Sequence, residues 1–361
     1  MTAVAPVRRA AARRAETWTL PFSERAQAAS RAADARSRAS LIRNIVIMLA
    51  AVCVLPFILD SYWLYLASSL LAYSIAVMGA RILFGVTGIL SVAQASFVGI
   101  GAYAAAIGSS TLGLSAVPEF LLVLVVSLLA SLVVGLPALR IGGIRLVLLT
   151  LAVCELFQWW LIDARSVTGG TQGMSVASLY IPGLNTTDPL FLYGLSAACA
   201  LIATLVLGLL PRTQIGRNMA AVRESEFAAR SVGVKVNAVK ITAFVVAGIC
   251  AGISGFLVAH IEGAVTPTNY DMFASVYILV GVILGGSSST VGAWLGAAYV
   301  SLAPPLFNAL GADRLYVLIS GALLVGLIYL LPGGLVQLGS LFRRRRATVR
   351  ATADRTEGSD A

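Results

Sequence analysis

The chain is predicted to be an all-α polytopic membrane protein of about ten transmembrane helices, and three observations predict it. Of its 361 residues 58% are hydrophobic and only 12% charged, with a mean hydropathy of +0.89, which no ordinary soluble domain has. Ten stretches approach the roughly 20 mostly apolar residues that a bilayer crossing needs. The basic residues gather in alternate connections, as they do when those connections are cytoplasmic.

In chain order the spans fall at 41–59, 62–82, 87–108, 120–139, 146–162, 190–210, 239–260, 272–285, 291–309 and 315–332, the eighth being short. Together they make a transmembrane domain over 41–332, between a basic tail at 1–40 and a basic and polar tail at 333–361. With both termini in the cytoplasm, 24 of the 26 basic residues lie inside and only Arg165 and Arg314 outside. The acids Asp60, Glu119, Asp163, Asp188, Glu262, Asp271 and Asp313 fall at outer loops or outer span ends. The net charge of +10 therefore follows from topology and from attraction of the tails to anionic lipid, not from nucleic acid, for which no module signature is present.

Residues 1–40 are rich in Ala, Arg and Ser and poor in acids, a composition shared by transit peptides and by disordered cytoplasmic tails; the tail is the plainer reading. No cleavage pattern precedes the first span, so that span is expected to stay as an anchor. The Arg343–Arg346 run after Phe342 reads as stop-transfer charge.

The most informative connection is the cytoplasmic loop at 211–238. It holds basic residues, the acids Glu224 and Glu226, and a Glu226 to Arg230 spacing that favours a helix, which Gly233 can end. A charged, helix-forming loop between two spans is suited to being gripped from the cytoplasm. On the other side the loop at 163–189, with Gly169, Gly170, Gly173 and Pro182, is long enough to be a docking surface.

Within the spans ionisable residues are rare. Glu155 sits mid-span with Gln158 three residues on and on the same helical face. A buried charge of this kind costs about 2.5–3.5 kcal/mol and is kept for a reason. It is either a polar lining of a translocation path or a carboxyl hydrogen-bonded within the bundle. Two stretches, 85–103 and 281–299, are apolar but interrupted by Gly and Ser, one in each half of the chain, which suggests two pseudo-symmetric halves with a path between them. Small residues that let helices pack closely are the alternative. Ser91, Gln94 and Ser96 in the first stretch must find partners or water and are path candidates.

Cys53, Cys154, Cys199 and Cys250 fall inside spans without metal-ligand spacing and read as small packers. His260, the single histidine, has no clustered ligands, so no metal site is expected; its role is interfacial structure or a contact with substrate or proton. No phosphate loop, nucleophile elbow or HExxH occurs. The chain is thus read as a non-enzyme that binds no cofactor, and energy for transport comes from an ion gradient or from a separate ATPase.

Three pieces now carry a resemblance: GVTGILSVAQASFVGIGAYAAAI at 85–107, LRIGGIRLVLLTLAVCELF at 139–157 with TGGTQGM at 168–174, and GRNMAAVRESEFAARSVGVKVNAVKITAFVVAGICAGISGFL at 216–257. Over roughly residues 60–340 the chain resembles the permease subunits of branched-chain amino acid ATP-binding-cassette importers, most closely the M-type, because the TGGxxG loop is characteristic of that type. The family's Glu-x-Ala-Ala-x-x-x-Gly pattern matches Glu226, Ala228, Ala229 and Gly233. The resemblance implies a coupling helix there, with Arg217, Arg223 and Arg230 beside it, docking one of two cytoplasmic ATPases that carry the ATP and Mg.

It also implies an H-type partner permease, an extracytoplasmic substrate-binding protein docking near Thr168, Gly169, Gly170 and Gly173, and a place in the bacterial cytoplasmic membrane among lipid. Urea and short-amide importers have similar permeases, so the substrate stays open between these and branched-chain or other hydrophobic amino acids. An ion-coupled secondary transporter is the alternative from another class. One departure stands at 286–294, where GSSSTVGAW replaces the family's usual GxGTxxGP turn, leaving Ser287, Ser289 and Ala293 unusual.

Overall fold

Eleven α-helices follow one another among the described residues, and most of them begin and end on residues that the sequence marks. They are α1 (Ser61–Arg81), α2 (Gln94–Ala106), α3 (Ala116–Ala138), α4 (Ile144–Asp163), the single turn α5 (Arg165–Thr168), α6 (Pro189–Leu209), α7 (Gln214–Glu224), α8 (Glu226–Ser231), α9 (Val236–Glu262), α10 (Met272–Gly285) and α11 (Thr290–Ala309). This computed structural model describes residues 60–309 except 142, 181–187 and 287–288, together with Val52, Leu55–Phe57, Ile319, Gly321, Ala322 and Gly326. The tails at 1–40 and 333–361, Pro182, Ser287 and most of the spans expected at 41–59 and 315–332 lie outside the described residues.

Six of the helices are long and apolar enough to cross a membrane, and α10 is a shorter apolar helix. Their starts are fixed by side-chain caps where the sequence offers them. Asp188 Oδ1 accepts from Leu190 N at 2.9 Å ahead of Pro189, and Asp271 Oδ1 accepts from Ala274 N at 2.7 Å. The long helix α9 ends where Gly263 takes φ +70°.

The third predicted span departs from expectation. Instead of one helix over 87–108, α1 widens into a π-type turn at Ile82–Val86, the chain runs without helix through 88–93, and α2 starts only at Gln94. Bare backbone inside a membrane must be satisfied by neighbours, since no water is there to do it. Val92 N donates to Thr150 Oγ1 of α4 at 3.1 Å, Ala95 N to Ser275 Oγ of α10 at 3.0 Å, and Ile89 N to Leu83 O at 2.9 Å. The break is held by hydroxyls supplied from two other spans.

The core is built around α9, which packs against α1, α2 and α3. Lipid tails are as apolar as leucine, so helices here associate by close packing and not by expelling water. A Cβ at Gly101 of α2 would lie 2.3 Å from the Gly252 carbonyl oxygen of α9, so a larger residue would push the two backbones apart. The same device joins α10 to α11, where a Cβ at Gly285 would meet the Gly292 oxygen at 1.8 Å. Helix packing thus accounts for these glycines of the two interrupted stretches. Both stretches nonetheless hold a break between two helices, at 88–93 and after Gly286 (φ +103°). The helices α3, α4 and α6 leave most of their apolar surface uncovered by the rest of the chain.

At the C-terminal end of α9 two further contacts close the fold. The antiparallel pair β1 (Met174–Ser175) and β2 (Ala264–Val265) joins the 163–189 loop to the end of α9, with Met174 opposite Val265. Glu119, read from sequence as an outer-end acid, is fully buried, and its Oε1 stands 3.2 Å from His260 Nε2. His260 Nδ1 is 2.9 Å from the Phe256 carbonyl and donates to it. The single histidine therefore has a partner, 141 positions away in sequence, that no local spacing reveals.

Candidate functional site

The loop at 211–238 folds into two short helices. Thr213 caps α7 by accepting from Gly216 N at 3.2 Å, and Ser225 caps α8 by accepting from Ala228 N at 3.2 Å. Ser225, a second capping residue in mid-loop, separates α7 from α8, the helix that the Glu226 to Arg230 spacing suggests. Gly233, at φ +84°, then ends α8, with Val234 N returning to the Ala229 carbonyl at 3.0 Å.

The pair is amphipathic and clamped to the membrane-facing part of the chain. Met219, Val222 and Ala229 are buried beneath it. Arg223 reaches from α7 to donate to the Gly85 carbonyl, in the π-type turn where α1 ends, and its alkyl chain lies against Gly88 at the start of the break. Lys240, buried in the first turns of α9, pairs with Glu226 Oε1 at 2.7 Å. This corrects two expectations: Glu226 turns to Lys240 and not to Arg230, and Ala229 faces the chain's own interior while Ala228 is exposed. Arg217 is held locally, donating to the Arg212 carbonyl at 2.8 Å and to Gln214 Oε1 at 2.7 Å.

What the pair presents outward is apolar. Phe227 is 85% exposed and Val232 76% exposed, flanking the exposed Arg230. Two large apolar side chains at the tip of a charged loop are unusual for a surface meeting only water. The sequence reading passed over both because it followed charge; a phenylalanine and a valine on either side of Ala228–Ala229 was the available signal.

Ser91, in the break, and Gln94 and Ser96, in the first turn of α2, are all buried. Ser91 Oγ accepts from Ala93 N at 3.4 Å. Gln94 Nε2 donates to the Ala76 carbonyl of α1 at 3.4 Å and the Ala247 carbonyl of α9 at 3.3 Å, tying the break to both. Glu155 lies apart from them, exposed on the outer face of α4, with Gln158 partly exposed beside it. Thr150 and Ser275, which satisfy the break, were missed in sequence; lone hydroxyls in otherwise apolar spans were their only trace.

The TGGTQGM segment is a pinned knot. Thr168 is buried and its Oγ1 lies 2.6 Å from the Leu161 carbonyl and 2.8 Å from that of Ala164. Gly169, Gly170 and Gly173 all have positive φ, and a Cβ at Gly173 would stand 2.1 Å from the Val265 oxygen. The four expected docking residues are thus the frame of the loop, and Thr171 and Gln172 form its exposed tip.

With this geometry in view, residues 62–328 match the family described as the branched-chain amino acid transport system / permease component. The chain belongs to that family. It is a multi-pass inner-membrane permease component of a transport system, as the apolar helices require. It is 28% identical over 307 residues to the high-affinity branched-chain amino acid transport system permease protein LivM of Salmonella typhimurium, covering 78% of this chain and 72% of the relative. The Escherichia coli LivM is 26% identical over 318 residues, covering 81% and 74%. An autoinducer 2 import system permease protein, LsrC of Salmonella typhi, is 29% identical over 286 residues, covering 72% and 76%. No solved structure matches the chain.

Proposed function

We propose that this chain is the M-type permease subunit of an ATP-binding-cassette importer for branched-chain or other hydrophobic amino acids. Its partners are an H-type permease, two cytoplasmic ATPases that bind the ATP and Mg, and an extracytoplasmic binding protein that delivers the cargo. The observation that carries the coupling part is the α7–α8 pair, fastened inward by Arg223 and Lys240 while it offers Phe227 and Val232 to the cytoplasm. An apolar knob on a rigid stem is what a groove on another subunit recognises.

Movement of that pair pulls on Gly85 and so acts where α1 ends and the break begins. ATP-driven approach of the two ATPases would in this way reach the break directly and alternate the access of the path. The path runs along the exposed face of α4, where Glu155 and Gln158 meet the second permease, since a mid-span carboxylate facing lipid costs about 2.5–3.5 kcal/mol. Ser91, Gln94 and Ser96 support the wall of that path from behind. On the outer side the binding protein docks on the Thr171–Gln172 tip that Thr168, Gly169, Gly170 and Gly173 frame.

The substrate assignment rests on the likeness to the two LivM chains, which extends over about four fifths of this one. The test is to purify the tagged chain from its own membranes, identify its companions by mass spectrometry, and measure uptake of labelled leucine, urea and ribose in reconstituted vesicles. Two ATPases, a second permease, a binding protein and leucine uptake are expected. Recovery of the chain alone with gradient-driven uptake would refute the importer class, and uptake of urea or ribose without leucine would refute the substrate.

A further inference from the structure

An open cavity of about 580 Å³ lies on the outer half of the chain, between α1, α10, α11 and the turn at Pro267–Tyr270. It is in the size range of small-ligand sites. Its α1 wall is a single stripe, Tyr62, Tyr65, Ser69 and Tyr73, at spacings of three and four that keep them on one helix face from the outer end inward. Tyr270 and Tyr277 add two more rings from the other side. Five tyrosines stand around one cavity, and the face of such a ring attracts cations, organic ammonium among them.

The polar atoms of the cavity are acceptors. Glu262 and Asp271 stand on its wall, and among the described lining residues there is no Lys, Arg or His. Glu262 and Asp271 share the cavity wall with Tyr65, Tyr270 and Tyr277. Pro304 and Pro305 sit inside α11 and lack the N–H groups that would bond the carbonyls of Val300 and Ser301, and all four residues line the cavity. Tyr270 is 1% exposed and its hydroxyl has no hydrogen-bond partner among the described residues, a buried polar group of the kind that ordinarily has one.

We propose that this cavity binds a primary alkylammonium group on a solute that carries no negative charge beside it. Rings, two carboxylates and two carbonyls freed by proline answer a cation with three N–H donors and an apolar stem. An anion has nothing here to meet its charge. A neutral solute would leave the carboxylates unanswered.

The test uses the full chain with its partners in lipid nanodiscs and 3-methylbutylammonium as the probe, with binding read by calorimetry. The controls are 3-methylbutan-1-ol and 4-methylpentanoate. The variant carries Glu262→Gln and Asp271→Asn, which keep the acceptor for Asn269 Nδ2 and the cap on Ala274 N while removing charge. Saturable binding of the ammonium alone, weakened about tenfold or more in the variant at unchanged thermal stability, is expected. Equal binding of the alcohol, or ammonium binding that the variant leaves unchanged, would overturn the site. Leucine uptake without ammonium binding would sink the site and leave the importer standing, whereas ammonium binding without leucine uptake would do the reverse.

Discussion

Phe227→Ala separates coupling from folding more cleanly than any other change in the chain. Phe227 is 85% exposed, so its removal costs the isolated chain almost nothing. If it fills a groove on an ATPase, the same ring is desolvated in the complex, and burying a phenylalanine contributes about 1.5–3 kcal/mol. At about 1.4 kcal/mol per tenfold, affinity for the ATPase falls by about 10- to 150-fold. The assay is ATPase capture by the immobilised permease in nanodiscs, read as a dissociation constant, beside the unfolding temperature of the permease alone. Substrate-stimulated ATP hydrolysis should fall with capture at a stability equal to that of the unaltered chain. Unchanged capture would show that the exposed ring meets something other than the ATPase, and a lowered unfolding temperature would show that it is packed after all.

Glu226→Lys sets a second cation beside buried Lys240 and should lower stability by about 1–3 kcal/mol, between the values for surface and buried pairs because Glu226 is half-exposed; restoration by the exchanged pair Glu226→Lys with Lys240→Glu checks it. Gly101→Ala should cost about 1–3 kcal/mol because the new methyl meets the Gly252 backbone, while Gly194→Ala, with open space around it, should be neutral or slightly stabilising; thermal unfolding of the two variants decides. Gln94→Leu loses two long hydrogen bonds, about 0.6 kcal/mol each, and should keep leucine uptake; abolished uptake at unchanged stability would instead put Gln94 in the path. Glu155→Gln should alter uptake while leaving assembly intact, and a normal rate in reconstituted vesicles would mark the carboxylate as structural.

The sequence by itself determined the class, the family resemblance and most of the described spans, because the bilayer imposes a length and an apolarity on each span that local composition records. The predicted spans at 120–139, 146–162, 190–210 and 239–260 meet helices that start and stop within four residues of those bounds, and 272–285 meets α10 directly. Gly233 as a helix end was also legible, since a helix stop is a local matter of positive φ. Tertiary structure alone decided which side chains answer one another. His260 and Glu119, Lys240 and Glu226, Arg223 and the Gly85 carbonyl, and Thr150 and Ser275 with the backbone of the break are pairings between separate elements. Hydropathy marks His260, Lys240, Thr150 and Ser275 only as polar in an apolar setting, and Glu226 and Arg223 only as charged in a loop; the partner is set by which helices pack together. That packing follows from where glycines such as Gly101 and Gly252 let two backbones approach, which is a property of the assembled bundle and not of any one span.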